Sequence, residues 1–361
     1  MINYKKGKVR DIIKEYNGCT EILVSVEGQD CRAINYDSLT GKVKPGDEVL
    51  LNTTAVDLGL GSGGFHFVVS VNDGENILPE QKEKGHIMKL RYTPLQFSVL
   101  SVEEQDSPYH DIFNDFKGLR GMPVIIGELH SMLLPAVFNI KRTNPAIRVS
   151  YIMTDGGALP LNFSWSVRYL KEKGLIEGTV TFGQAFGGDF EAVNVYTALI
   201  AAREVLKADA AVVTMGPGIT GTGTKYGFSG IEQGGIIDAV NTLEGRPVFI
   251  PRISFADRRE RHYGISHHSI TVLKEVAKTR AEVVLPGLAK EKSEYIWSQI
   301  KDHGIDAKHT VVQVGRKDSE TILKNILHYG VKVTTMGRGL DEEKEFFLTA
   351  GAAGYYCASS L

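Results

Sequence analysis

The sequence predicts an α/β protein in which a mainly parallel, doubly wound (Rossmann-like) sheet follows a small β-barrel-like N-terminal domain. Three observations carry this. A chain of 361 residues exceeds what a single core ordinarily supports, so about two domains are expected. Through about residue 72 the apolar residues come in short bursts of strand length, each bounded by turn residues. From residue 122 onward near-continuous apolar runs, as required of strands covered on both faces, alternate with helical patterns.

The bursts are 9–13, 22–26, 31–34, 48–51 and 65–71. The tetrapeptide Lys44-Pro45-Gly46-Asp47 before the fourth is a turn, with Pro where φ is preset and Gly where the chain reverses. Five such strands close most economically into an SH3-like or OB-like barrel, which removes the exposed edges of a short sheet. Residues 86–104 again read as extended, and 106–120 are polar with Pro108, Gly118 and Gly121 as punctuation. The expected division is therefore 1–117, barrel-like domain with connecting segment, and 118–361, α/β domain. Within the latter the apolar runs 123–126, 147–153, 178–182, 210–215, 247–253, 281–285, 310–314 and 331–335 are expected strands. Helices are expected over 191–206, where Ala192, Val195, Leu199, Ala202 and Leu206 recur at helical spacing, and over 266–278.

A net charge of -2 gives no global reason to expect nucleic acid or an anionic membrane as partner. The local exception is Tyr4, Lys5, Lys6, Lys8 and Arg10, the one aromatic and basic cluster through which the N-terminal domain would meet nucleic acid. Cys19, Cys31 and Cys357 form no CxxC and are odd in number, which argues against a disulfide framework or a cysteine zinc site. The N-terminus lacks the apolar core of a signal peptide, and no stretch approaches the roughly eighteen apolar residues of a membrane span. A cytoplasmic protein is expected, and a homodimer on base rates.

In doubly wound sheets ligands sit beyond the carboxyl ends of the strands, so the segments following each strand are the candidates for chemistry. Asp155, in TDGGALP, is a carboxylate able to ligate a metal or accept a ribose hydroxyl, or to bond its own turn. Asp189, in GQAFGGDFE, is either a functional carboxylate or the N-cap of the 191–206 helix. The segment 215–230 is the richest in glycine. Its Gly216, Gly218 and Gly221 spell GxGxxG, but the strand before it is not the first of its domain and no acidic strand end follows about twenty residues later. Thr222 stands where a Walker A lysine would be. What survives is an anion cradle of backbone amides around Gly223, with hydroxyls from Thr220, Thr222, Thr224 and Ser229 and the cation Lys225.

The fourth segment, 254–269, brings Arg258, Arg259 and Arg261 to grip a phosphate or carboxylate. It also brings Asp257, His262, His267 and His268 for acid/base or metal-ligand chemistry, with Ser266 or Asp257 as alternative helix caps. Adjacent His267 and His268 diverge by about 100° on a helix, so a shared ion requires His262 to fold back onto one of them. Glu128 and His130 are a fifth candidate, and the glycine-rich loop 52–66 is a lid, a domain contact or a hairpin tip.

The segments LLNTTAVDLGLGSGGFHFVV, MTDGGALP, GQAFGGDFEAVN, MGPGITGTGTKYGFSG and ISFADRRERHYGISHHS resemble the signature segments of an uncharacterised bacterial family common in Gram-positive lineages, the domain of unknown function 3866. The resemblance runs through nearly the whole chain and implies no activity or catalytic residue.

Three functional readings follow from the residues. The leading one is a hydrolase or transferase for a phosphorylated or otherwise anionic small molecule. The 216–223 segment would cradle the anion, Arg258, Arg259, Arg261 and Lys225 would neutralise it, Asp155, Asp189 or Asp257 would hold a divalent metal ion or act as base, and the histidines would move protons. The second is a non-catalytic sensor or adaptor binding a metabolite together with nucleic acid or protein. The third, resting on the GxGxxG alone, is a dinucleotide-dependent oxidoreductase.

Overall fold

The computed structural model describes residues 2–60, 63–72 and 85–361, and divides into two compact units, Met1–Leu100 and Ser101–Leu361. In the first, β1 (Tyr4–Tyr16), β2 (Cys19–Val26), β3 (Gln29–Tyr36), β4 (Glu48–Asn52) and β5 (His66–Asn72) form a closed barrel in the order β1-β2-β3-β5-β4. All five expected bursts are strands. Their inward residues, among them Val9, Ile22, Val24, Val49, Leu51 and Val71, make one buried cluster. The predicted turn before β4 is held by Asp47, whose amide donates to Lys44 O and whose carboxylate accepts from Lys44 N. A hairpin of β6 (Ile87–Lys89) and β7 (Phe97–Val99) completes this unit. The glycine-rich loop 52–66 contains a helical turn, Thr54–Asp57, and its Gly61 and Ser62 lie outside the described residues.

The boundary falls at 100/101, upstream of the expected 117/118. The intervening segment packs on the second unit: Val102 is buried in its core and donates its amide to Glu191 O, while Glu103 accepts from Val193 N.

The second unit is built on eight parallel strands: β8 (Pro123–Gly127), β9 (Val149–Thr154), β10 (Gly178–Phe182), β11 (Phe190–Ala192), β12 (Ala210–Met215), β13 (Arg246–Ile250), β16 (Glu282–Leu285) and β17 (Thr310–Gln313). Two-residue strands β14 (Ile253–Ser254) and β15 (Gly264–Ile265) pair with each other, as do β18 (Thr334–Thr335) and β19 (Arg338–Gly339). The sheet order β11-β10-β9-β12-β8-β13-β16-β17 reverses at β8. From β8 the chain runs outward through β9, β10 and β11, returns through β12, and crosses to β13, β16 and β17 on the other side. Such a reversal opens a crevice at the strand carboxyl ends.

Seven of the eight apolar runs are sheet strands. The run 331–335 is the exception: Val331 and Val333 pack into the core beneath the helices, leaving only Thr334 and Thr335 to pair locally. The eighth strand is β11, which overlaps the start of the stretch expected to be helical. The helix begins at Val195, behind an Asn194–Thr197 capping box, and its last turn, Ala201–Val205, is a π-turn.

Successive strand residues face opposite cores, as a sheet covered on both sides requires. Val124 and Ile126 enter one and Ile125 the other. One face carries the helices Leu133–Thr143, Arg316–His328 and Lys344–Ser359, and the other carries Gln233–Thr242 and Lys290–Asp302. Lys344–Ser359 approaches Leu133–Thr143 so closely at Gly354 that an added Cβ would run into the Ala136 carbonyl.

A helix-interior Gly→Ala change ordinarily gains about 0.5–1 kcal/mol, and overpacking ordinarily costs about 1–3 kcal/mol. Because the clash is with backbone, Gly354→Ala should lower stability by about 1–2 kcal/mol. A lower urea midpoint at unchanged slope is the expected result.

Candidate functional site

The carboxyl ends of β8, β9, β12 and β13 meet at the reversal, and the loops leaving them are fastened to one another. Ala158 N donates to Pro217 O, Gln184 N donates to Asp155 Oδ2, Leu161 N donates to Phe186 O, and Phe186 N donates to Leu159 O. Gly157 and Gly216 lie backbone against backbone, with no room for a Cβ on either. Asp155 is thus exposed at this rim with its carboxylate holding the 183–187 loop.

Asp189 is not there. It sits by the opposite, amino-terminal end of β10, where Oδ2 accepts from Thr179 N and Oγ1 at 2.9 Å and Oδ1 pairs with Lys171 at 2.5 Å. It caps no helix either, since that position belongs to Asn194.

The glycine-rich segment 216–230 departs from the expected cradle. Its far half is a small hairpin in which Gly221 bridges Phe228, Thr222 N donates to Gly227 O, and Ser229 N donates to Thr220 O. The hydroxyls of Thr222 and Thr224 bond each other and the turn, Thr220 N is held by Ser229 Oγ, and Gly223 supplies a left-handed φ of 78°. Lys225 pairs with Glu275 at 2.6 Å, so it is not a free cation. Gly216 and Gly218 line a cleft of about 330 Å³ with His130, Ser131, Thr335 and Met336. His130 is locked there: Nε2 meets Ser164 Oγ at 2.6 Å, Nδ1 lies 3.1 Å from Tyr151 OH, and burial pushes it down to about 4.

The hairpin ends on Phe228, whose ring stacks on His268 at a centroid distance of 3.9 Å. Here the 254–269 segment folds back on itself. His262, inside a 3₁₀ turn, comes to 5.0 Å from His267 and 5.1 Å from His268 between ring centroids, and the adjacent pair is 4.3 Å apart. Divergence along the helix is overcome because Ser266, the cap, starts the helix immediately before them. Ser266 Oγ also holds His262 Nδ1 at 2.7 Å. His268 Nδ1 meets Glu128 Oε1 at 2.5 Å, and Glu128 is fully buried at the end of β8. Glu128 Oε2 and His267 Nε2 are buried without partners. Burial, with Arg252 and Arg259 nearby, pushes His262 down to about 3; burial, with His268 and Arg261, pushes His267 down to about 4. Both are neutral imidazoles at neutral pH.

The arginines divide into two groups. Arg259 is committed to Asp257 by two side-chain bonds of 2.9 and 2.7 Å, and that contact holds the Asp257 carboxyl well below the ordinary carboxylate range. Asp257 is therefore a charge anchor, not a base. Arg258 and Arg261 are exposed, the latter beside Gly223.

Three participants escaped the sequence reading. Arg252, buried at 5 % exposure just past β13, lies inside the run 247–253 and was absorbed into an expected strand. Arg338, between Asp257 and Glu343, comes from a distant part of the chain. Glu232 accepts from Thr154 Oγ1 at 2.5 Å, and burial, with Asp155 adding to it, pushes its carboxyl up to about 7. A carboxyl in a sequence rich in them carries no signal of its own; only the fold reveals its burial.

A family model described as Protein of unknown function (DUF3866) matches residues 32–354. The chain belongs to this family. The match spans every loop of the site. No curated protein matches the chain. Cys19 and Cys357 are buried free thiols, and among the described residues no helix is long and apolar enough to cross a membrane.

Because folding raises the Glu232 pKa, its protonated form favours the native state, a contribution present below about pH 4.5 and lost as pH rises through about 7. Glu232→Gln keeps an acceptor for Thr154 and removes the ionisation. The variant should exceed the parent in stability at pH 8 by on the order of 2 kcal/mol, with the difference closing toward pH 4.5, as read by denaturant unfolding at each pH.

Proposed function

We propose that the second unit is an enzyme, a hydrolase or group transferase acting on a small anionic molecule. The molecule's charged group would rest against Arg252, and its reacting atom over the histidine cluster. Arg252 carries this reading. Its guanidinium is buried, yet among the described residues its one ion pair is with Asp257 Oδ2, at 3.7 Å, beyond hydrogen-bond reach. A buried cation without hydrogen-bond acceptors is costly unless something else supplies them, and a phosphate or carboxylate does so in bidentate fashion.

The local charge count agrees. Arg252, Arg259 and Arg338 gather around two carboxylates, Asp257 and Glu343. Arg261 and Arg258 extend that field to the surface, where they draw an anion inward. The neutral imidazoles are electron-pair donors at the point where the anion would arrive, and Glu232, with a pKa near neutrality, is suited to proton transfer.

The test is a thermal-shift panel of inorganic phosphate, nucleotides, sugar phosphates and small carboxylates on the full chain. At least one should raise Tm, and Arg252→Met should abolish that rise. Since the Arg252 guanidinium has no hydrogen bond among the described residues to lose, the unliganded variant should melt within a few degrees of the parent or above it. Absence of stabilisation across the panel, or an unchanged shift in Arg252→Met, would reject the proposal.

A further inference from the structure

We infer that His262, His267 and His268 together bind one divalent d-block metal ion, zinc being the type case, at the base of the crevice. Each offers one nitrogen, and these donor atoms lie within 4.8 Å of one another. Side-chain partners select which nitrogens face inward. His262 spends Nδ1 on Ser266 and His268 spends Nδ1 on Glu128, so among the described residues neither Nε2 has a hydrogen-bond partner. His267 Nε2 is buried and unpartnered as well. The buried His267 nitrogen without a hydrogen bond would cost about 1–3 kcal/mol, and an ion held by the three rings relieves it.

The surroundings match what a metal requires of its second layer. Histidine ligands almost always pass their other ring nitrogen to a carboxylate or similar acceptor, which fixes the ring and strengthens the donor. Glu128 does this for His268 and the Ser266 hydroxyl for His262. Nitrogen donors select zinc, cobalt, nickel or iron over magnesium and calcium, which demand oxygen. Three protein ligands leave a fourth position, the arrangement of catalytic rather than structural sites. That position opens toward the glycine hairpin, since even a Cβ added at Gly221 would stand 3.8 Å from His268 Nε2. A water bound there would be acidified and presented to a molecule held by Arg252.

The catalytic consequence rests on the enzyme reading above; the binding of the ion rests on the histidines alone. The experiment therefore measures binding. Full-length protein stripped with chelator is titrated with Zn²⁺ against a chromophoric competitor, and with Co²⁺ for its visible ligand-field bands. One equivalent should bind. His262→Ala and His267→Gln should each weaken it by at least about 100-fold, and Glu128→Gln by about tenfold or more. Metal-free melting curves identify any variant that fails to fold. For such a case X-ray absorption of the zinc-loaded parent gives an independent answer, three imidazoles being expected.

A parent that retains no zinc, affinity unchanged in folded His262→Ala and His267→Gln, or a spectrum without imidazole ligands would each overturn the inference. Zinc binding without anion stabilisation would leave the metal site standing and remove the enzyme reading. Anion binding to a protein that takes no zinc would do the reverse.

Discussion

A carboxylate buried at the end of a central strand sets the terms for everything around it. Glu128 follows β8, where the sheet reverses, and has no access to water. A buried polar group without a hydrogen-bond partner is costly. Its partner is His268, 140 positions along the chain, so the contact ties the helix after β13 to the end of β8. The space for it exists only because Gly230 has no side chain: a Cβ there would stand 2.6 Å from Glu128 Cγ. Placing His268 brings His267 and, through Ser266, His262. The histidine cluster thus follows from giving one oxygen of a buried carboxyl its partner.

The arginines solve a second problem of the same kind less completely. Asp257 draws Arg259 into hydrogen bonds and attracts Arg252 and Arg338, and Glu343 takes the remainder of Arg338 and the Ser254 hydroxyl. Every carboxylate oxygen is used while Arg252 keeps donors to spare. The network thus ends on Arg252, at 5 % exposure, whose guanidinium makes no hydrogen bond among the described residues.

The sheet was legible because buried parallel strands must be nearly continuous apolar runs, a pattern strong enough to locate seven of eight. The same pattern misled at 331–335, where Val331 and Val333 bury themselves under helices, and failed at β11, whose three residues are too few to carry a period. For the site, the rule placing ligands at strand carboxyl ends found the loops and the three histidines. It could not find Glu232 or rank Arg252, whose importance lies in burial and in the absence of partners. Asp189 shows the opposite error: a carboxylate between glycines whose chain has already crossed back to the other end of the sheet.

The glycines themselves need the most revision. Their density suggested a nest of amides for phosphate, but the chain's own geometry accounts for much of it. Gly157 and Gly216 permit two loops to touch backbone to backbone, Gly218 and Gly223 take left-handed φ values of 105° and 78°, and Gly221 keeps the space over His268 clear. The threonines expected to grip an anion instead hold the hairpin closed. Under the proposed function, recognition of negative charge would fall to the arginines, with the hairpin as a wall. It stacks Phe228 on His268 while adding no bulk over that imidazole, because Gly221 carries no side chain.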